Sequence, residues 1–346
     1  MKAVVLNEVG NTEKLELKEI EAPVATPGHV LVKVHACGVG YRDVIERRGG
    51  HPAIQTPIVQ GHEFAGEIHQ VGEGVRRWNI GDRVVNMYYD TCGICENCLG
   101  GDERLCSNIR EVFGLTVNGG YAEYVLAAER ALELLPDGIP FDVAATLMSA
   151  SGVGFHNTTS TANVRAGEEV LITGATGGVG SAALQTAKLY GATVWAVTST
   201  ENKVGLLYEM GADSVIVNTG GDFHKEILKK RNGKGLDVAI DCVGAPTFNG
   251  SIKSLRRGGR AIIIGNVDGK RVELNLGMIV INSIQVIGSD NVTRSALRRL
   301  MQLVISEKIK PIIYERMPLE KAAFAQEILE SKGTVGRIVL LPHISA

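Results

Sequence analysis

Four cysteines fall within fifteen residues, Cys92, Cys95, Cys98 and Cys106, in the pattern C-x2-C-x2-C-x7-C. Thiolates this close in sequence let a small loop wrap one ion, and zinc takes four of them tetrahedrally. Four protein ligands leave no open position, so the chemistry expected of this cluster is structural rather than catalytic. Paired disulfides are the other reading of clustered cysteines, and an intracellular setting favours the metal. Cys37 and Cys242 stand apart from the cluster.

A second stretch can hold phosphate. Val170 to Thr173 is a short apolar run rich in strand formers, and Ser181 to Tyr190 has helical character. Between them lie Gly174, Ala175, Thr176, Gly177, Gly178, Val179 and Gly180. Strand, glycine turn and helix in that order form the first unit of a dinucleotide site. Gly177 lets the backbone approach a pyrophosphate, Gly180 lets the helix press on the strand, and the helix N-terminus offers N–H groups and partial positive charge. Ala175 replaces the first glycine of the common G-x-G-x-x-G. An acidic residue about 20 positions on would hold the ribose of NAD. Thr198 stands there instead, followed by Ser199, Thr200 and Lys203. Hydroxyls and a cation suit a 2′-phosphate, so NADPH is the expected cofactor, with NADH possible.

The elements that must position these groups read as two kinds of domain. Residues 1 to about 150 carry short strands at Val30 to Ala36, Phe64 to Gly72 and Arg83 to Tyr88, punctuated by Gly and Pro, which suggests a compact β domain. From about 165 to 289, strand-like runs at 170–173, 193–197, 214–217, 237–241, 260–264 and 284–288 alternate with helical stretches. That alternation predicts a doubly wound parallel sheet and an α/β fold overall. Helices follow at Ser295 to Ser306 and Leu319 to Ser331, and a strand closes the chain at Gly336 to Leu341.

The bulk properties exclude several classes. A chain of 346 residues, 45% hydrophobic and 21% charged, is long enough for two packed domains. A net charge of −2 gives no reason to expect nucleic acid or an anionic membrane as partner. No signal peptide and no apolar run of spanning length is apparent, so the expected location is cytoplasmic.

Taken together, Gly61-His62-Glu63, the four-cysteine lobe, Gly174 to Gly180, Asp241-Cys-Val-Gly244 and Gly258 to Gly265 make the sequence resemble the medium-chain dehydrogenase/reductase family, the zinc alcohol dehydrogenases and quinone oxidoreductases. The resemblance implies a GroES-like β-rich catalytic domain from residues 1–150 and 290–346, with a zinc lobe at about 90–108. A Rossmann domain at 151–289 is inserted in it. It implies a small-molecule substrate in the cleft between domains and a homodimer or homotetramer, with Ile284 to Ile287 resembling the sheet edge the family uses for pairing. It adds Val243, Gly265 and Asn266 to the cofactor residues, and Arg337 as a reach to the cofactor phosphates.

Departures from the family pattern bear on the reaction. Zinc alcohol dehydrogenases bind catalytic zinc through a cysteine in G-x-C-x-[ST]-D, the histidine of G-H-E and a later cysteine. Here the first cysteine is Gly40, Arg42 replaces the hydroxyl residue that relays protons, and no cysteine occurs near Ser149 to Gly152. Asp43, His62 and Glu63 remain, too few for a tight three-ligand site, and are expected to form a polar network. Without that Lewis acid, reduction of an activated alkene is expected, with Tyr41 or Arg42 stabilising the enolate oxygen. Residues Tyr41 to Asp43, Gly244 to Phe248, Ser254 to Gly259 and Gly265 to Asp268 look like archaeal acryloyl-CoA reductases. Alcohol or ketone chemistry is the alternative, and an NADPH-binding protein with little catalysis a third reading.

Overall fold

The computed structural model describes residues 1–218, 221–331 and 333–344. Contacts divide the chain into two compact units. One comprises Met1–Ala150, Asn291–Ser306 and Pro311–Ala346, and the other Ser151–Asp290 and Glu307–Lys310.

The first unit is built around the long strand His29–Val39, buried on both faces except at His29, Lys33 and His35, which are half-buried. It pairs antiparallel with Glu63–Val71 on one side. On the other it pairs with Tyr124–Ala128 over its first half and with the C-terminal strand Arg337–Leu341 at its end. Arg83–Asn86 and Leu132–Leu134 extend the sheet beyond Glu63–Val71, and Ile313–Pro318 extends it beyond Arg337–Leu341. A smaller sheet orders Leu15–Glu19, Lys2–Leu6 and Ile58–Val59. Phe64, Phe113, Tyr121, Ile68 and Leu132 fill the core between them. This pairing has a functional consequence. It brings Arg337 beside the Val39–Gly40 junction, where the strand gives way to the helix Tyr41–Arg47.

That short helix is pinned by buried polar groups rather than by propensity. Asp43 Oδ2 accepts the N–H of Gly40 at 2.8 Å, closing the first turn. Gln60 Nε2 donates to the Asp43 carbonyl at 2.9 Å, Gln326 Nε2 to Gln60 Oε1 at 3.0 Å, and Arg47 Nε to Gln326 Oε1 at 2.7 Å. Each link satisfies a group that would otherwise be buried without a partner.

In the second unit six strands are all parallel, ordered Ser214–Val217, Thr193–Thr198, Glu169–Thr173, Leu236–Asp241, Leu255–Ile263 and Gln285–Gly288. This is the doubly wound order in which the first two strands of the halves lie side by side at the centre. Helices Gly178–Leu189 and Ala245–Lys253 follow the two central strands. The fifth strand begins at Leu255, earlier than the run at 260–264 suggests, through an irregularity after Leu236. The segment 141–161, missed in sequence, is helical with two π turns, Leu147–Ser151 and Asn157–Thr161. Buried Leu147, Met148, Val153 and Phe155 lie on no single stripe, so periodicity did not reveal it. No helix of the described residues is long and apolar enough to cross a membrane.

Asp241 organises the centre of this unit. Its Oδ1 accepts from Thr173 Oγ1, Thr247 Oγ1 and the N–H groups of Val243 and Gly244, and its Oδ2 from Ser251 Oγ. Asp241→Ala strands these buried donors, each at about 1–3 kcal/mol. A loss of at least about 3 kcal/mol in denaturant midpoint analysis is expected, and a loss under about 1 kcal/mol contradicts this role.

Candidate functional site

The residues that the sequence singled out around Gly40 and His62 converge at the end of the central strand. Asn86 clamps the start of the strand Glu63–Val71, donating to the His62 carbonyl at 2.8 Å and accepting the Phe64 N–H at 2.7 Å. His62 is thereby turned inward and fully buried, with Nδ1 2.8 Å from Asp43 Oδ1. Asp43 Oδ2 also accepts the Tyr121 hydroxyl at 3.0 Å. Burial would raise the Asp43 carboxyl, but His62 and these donors together hold it below its ordinary value. Burial raises the Tyr121 hydroxyl, reinforced by the Asp43 charge, so it stays a donor.

Glu63 faces the other way. Its Oε1 accepts the N–H groups of Ser149 and Ala150 at 2.7 and 2.9 Å, and its Oε2 accepts Arg337 Nε at 3.1 Å. The π turn Leu147–Ser151 is thus held by one carboxylate, and it carries Ser149 to His62. Ser149 Oγ lies 3.1 Å from His62 Nε2 and 3.4 Å from Arg337 Nη2. Asp43 and His62 have no exposure, whereas Ser149 is half-buried. Irregular helical turns of this kind recur at functional sites.

Arg42 and Tyr41 border this network. Arg42 stacks on the ring of Tyr88, 4.1 Å from its centroid, and its Nε donates to Glu46 Oε1. Tyr88 in turn meets the His62 ring edge-on at 5.7 Å. Tyr41 is half-buried against the unit's core. Glu46 is fully buried, one of its oxygens has no hydrogen-bond partner, and burial pushes its carboxyl up to about 7. Sequence reasoning missed Ser149, Tyr121, Tyr88 and Glu46. Only Ser149 left a trace, in the segment where a cysteine was sought and not found.

The residues do not fit a catalytic zinc. Gly40 offers no ligand, and a Cβ built there lies 2.8 Å from His62 Cε1 and 3.2 Å from both terminal nitrogens of Arg337. His62 Nε2 meets a hydroxyl where a second thiolate would be needed. A guanidinium against this centre supplies positive charge of its own, and a dication beside it would be repelled.

The four cysteines do fit the metal expected of them, and among the described residues they are the one group of three or more potential ligands. Their sulfurs lie within 4.8 Å of one another, with separations of 3.6, 3.9 and 4.0 Å. Tetrahedral zinc at about 2.3 Å places sulfurs about 3.8 Å apart. The N–H groups of Cys95 and Asn108 point at Cys92 Sγ and Cys106 Sγ at 3.4 and 3.3 Å. N–H groups of Cys98 and Ser107 pull the Cys95 thiol down to about 5, while burial and the Cys95 sulfur push Cys98 up to about 12. Clustered thiols resist joint ionisation, and a zinc ion at their centre removes that repulsion.

In the second unit the glycine turn has the shape that a pyrophosphate needs. A Cβ at Gly180 would lie 2.2 Å from the Gly174 carbonyl oxygen, so the helix approaches the strand only because glycine stands there. A Cβ at Gly177 would meet only that oxygen, at 3.4 Å, leaving an open cradle. The first-turn N–H groups of the helix Gly178–Leu189 point along its axis into that cradle. Ala175 and Thr176 are buried in the turn, Val179 follows at the helix start, and Val243 lies beside Gly174. Asn266 is exposed just after Gly265. Thr198 ends its strand, with Ser199 and Thr200 exposed beyond it. Lys203 is only 8% exposed, and burial lowers its pKa, so it is a less open cation than its sequence position suggests. Arg337 belongs to the His62 network of the first unit.

Residues 26–137 match the family described as "Alcohol dehydrogenase GroES-like domain", and residues 178–306 that described as "Zinc-binding dehydrogenase". The chain is 36% identical to an acryloyl-coenzyme A reductase of Metallosphaera sedula over 98% of this chain and 99% of that one. It is 34% identical to an alcohol dehydrogenase of Geobacillus stearothermophilus, over 98% and 99%. Its fold is similar to the crystal structure of AibC, with a TM-score of 0.92 at 40% identity, covering 99% of this chain and 96% of that one.

Two measurements follow from this geometry. Protein purified without added metal is expected to carry about one zinc per chain by elemental analysis. Cys98→Ser is expected to lower thermal stability and zinc content together, because a closed site stabilises the fold; full stability without zinc would contradict this. Glu46 supplies a pH dependence. Its folded pKa, about 7, lies above its ordinary value of 4.5. The unfolded chain therefore releases that proton first, and stability falls as pH rises from about 4.5 to 7, then levels. Glu46→Gln removes this loss, so the variant is expected to gain about 1–3 kcal/mol relative to the native chain between pH 5 and pH 8. An equal gain at both pH values would show that Glu46 does not titrate in this range.

Proposed function

The chain belongs to the medium-chain dehydrogenase/reductase family of NAD(P)-dependent oxidoreductases, and from that premise we propose that it reduces an activated carbon–carbon double bond, such as that of a short enoyl-coenzyme A or an enone, with NADPH. The observation that carries the reading is the missing ligand at Gly40, where an alcohol dehydrogenase needs a metal-binding thiolate and where even a Cβ would lie 2.8 Å from His62 and 3.2 Å from the Arg337 guanidinium. Alcohol–ketone interconversion draws on a Lewis acid to hold the alkoxide. Conjugate reduction spreads the charge over an enolate, which hydrogen-bond donors stabilise. The similarity to an acryloyl-coenzyme A reductase supports the same substrate class.

The nicotinamide, when bound, supplies the hydride. The glycine turn with Gly174, Gly177, Gly178 and Gly180 would hold its pyrophosphate, with Val243, Gly265 and Asn266 at the neighbouring strand ends. Thr198, Ser199 and Thr200 would receive the ribose or its 2′-phosphate without the repulsion an acid would exert. Tyr41 and Arg42 are the donors nearest the network that can meet the enolate oxygen. Two copies would pair through the open sheet edge Gln285–Gly288, beside exposed Leu276, Val280 and Ile281. The alternative reading is oxidation of an alcohol, as in the Geobacillus relative, and the minor one is binding of NADPH with little catalysis.

An acceptor screen with NADPH and NADH separates the three. The expected result is turnover with enoyl thioesters or enones, a lower KM for NADPH, and little reduction of simple ketones. Tyr41→Phe is expected to lower kcat roughly a hundredfold or more if its hydroxyl is the enolate donor, which corresponds to about 3–4 kcal/mol. Turnover confined to alcohols and ketones, or none with any acceptor, overturns the proposal in favour of the respective alternative.

A further inference from the structure

Reduction of a conjugated double bond needs a proton as well as a hydride, and the network around His62 contains a route for one. Ser149 Oγ, His62 Nε2 and Nδ1, and Asp43 Oδ1 form an unbroken line with contacts of 3.1 and 2.8 Å. Its inner end is fully buried and its outer end, Ser149, is half-buried. The inner carboxylate is fixed by two further donors, Gly40 N–H and Tyr121 OH. Asp43 can thus hold the imidazole in the orientation that keeps Nδ1 protonated and Nε2 toward the serine. The backbone of the serine is anchored by its own N–H on Glu63, which sets its hydroxyl between His62 Nε2 and Arg337 Nη2. Arg337 Nη2, 3.4 Å from Ser149 Oγ, lowers the cost of negative charge on that oxygen.

We propose that Ser149, His62 and Asp43 are a proton relay in which Ser149 is the catalytic acid for the α-carbon of the substrate. This inference rests on the alkene reading above. As the hydride pair forms the new C–H bond at the β-carbon, the π pair of the double bond moves onto the α-carbon and carbonyl as an enolate. The Ser149 O–H bond then breaks and its proton forms the C–H bond at the α-carbon. Ser149 Oγ takes the proton of His62 Nε2, leaving a neutral imidazole still bonded through Nδ1–H to Asp43. His62 regains a proton from solvent through Ser149, the member of the line that reaches it. His62 and Asp43 act through the serine and are positioning residues.

The test compares the native enzyme with Ser149→Ala, Ser149→Thr and Asp43→Asn on the best acceptor from the screen. Ser149→Ala is expected to lower kcat by roughly 10²–10⁴-fold, the usual contribution of a general acid, with NADPH affinity by fluorescence unchanged within about twofold. Ser149→Thr keeps the hydroxyl and is expected to recover most of the loss. Ser149→Ala with kcat within threefold of native, or Ser149→Thr no more active than Ser149→Ala, overturns the relay. A second readout needs no turnover: ¹⁵N NMR of the histidines in cofactor-free protein. Ser149→Ala is expected to shift the Nε2 resonance of His62, and Asp43→Asn the Nδ1 resonance; unmoved resonances overturn the relay as well. If the native enzyme reduces no alkene, the functional reading fails on its own, and the NMR pair still decides whether the line of hydrogen bonds exists.

Discussion

The candidate site depends on one buried ion pair, Arg337 with Glu63. Neither charge is tolerable alone in this position, since an unpaired buried charge costs several kcal/mol. Together they tie three distant parts of the chain. Arg337 comes from the C-terminal strand, Glu63 opens the strand after His62, and the second oxygen of Glu63 holds the N–H groups of Ser149 and Ala150. The same guanidinium crowds Gly40 and approaches the Ser149 hydroxyl. The guanidinium thus fixes a positive charge beside a centre whose only histidine, His62, has neither a thiolate at Gly40 nor one at Ser149 to share a metal with.

This view separates the two kinds of metal chemistry that the fold supports. The lobe of Cys92, Cys95, Cys98 and Cys106 is local, its ligands wrap one point, and its role is to hold a loop that has little core of its own. Ile94, Leu99 and Leu105 there are exposed rather than packed. The His62 network is assembled from strand ends far apart in sequence and is held by carboxylates and amides. It can orient a proton path but cannot hold a tight metal ion.

How much of this the sequence revealed follows the same division. The cysteine lobe, the glycine turn and the alternating strands of the second unit were legible because their constraints are local: ligand spacing, the steric limit at Gly180 and the period of buried side chains. The departure at Gly40 was legible as a missing ligand. What replaced that ligand was not, because Ser149 meets His62 across 87 positions and Arg337 meets Glu63 across 274. Glu46 was hidden for another reason, since a charged residue four positions from Arg42 on a short helix reads as a surface pair until burial is known. Lys203 reads as an open cation in sequence and is largely buried in the fold.

Whether the centre at Gly40 and His62 works without a bound metal is tested by following turnover and metal content together under a strong chelator. Turnover is expected to stay constant while about one zinc per chain is retained, and to fall only as the cysteine lobe empties and the fold loosens. Loss of turnover in step with removal of a second metal, while the lobe keeps its zinc, would contradict this expectation.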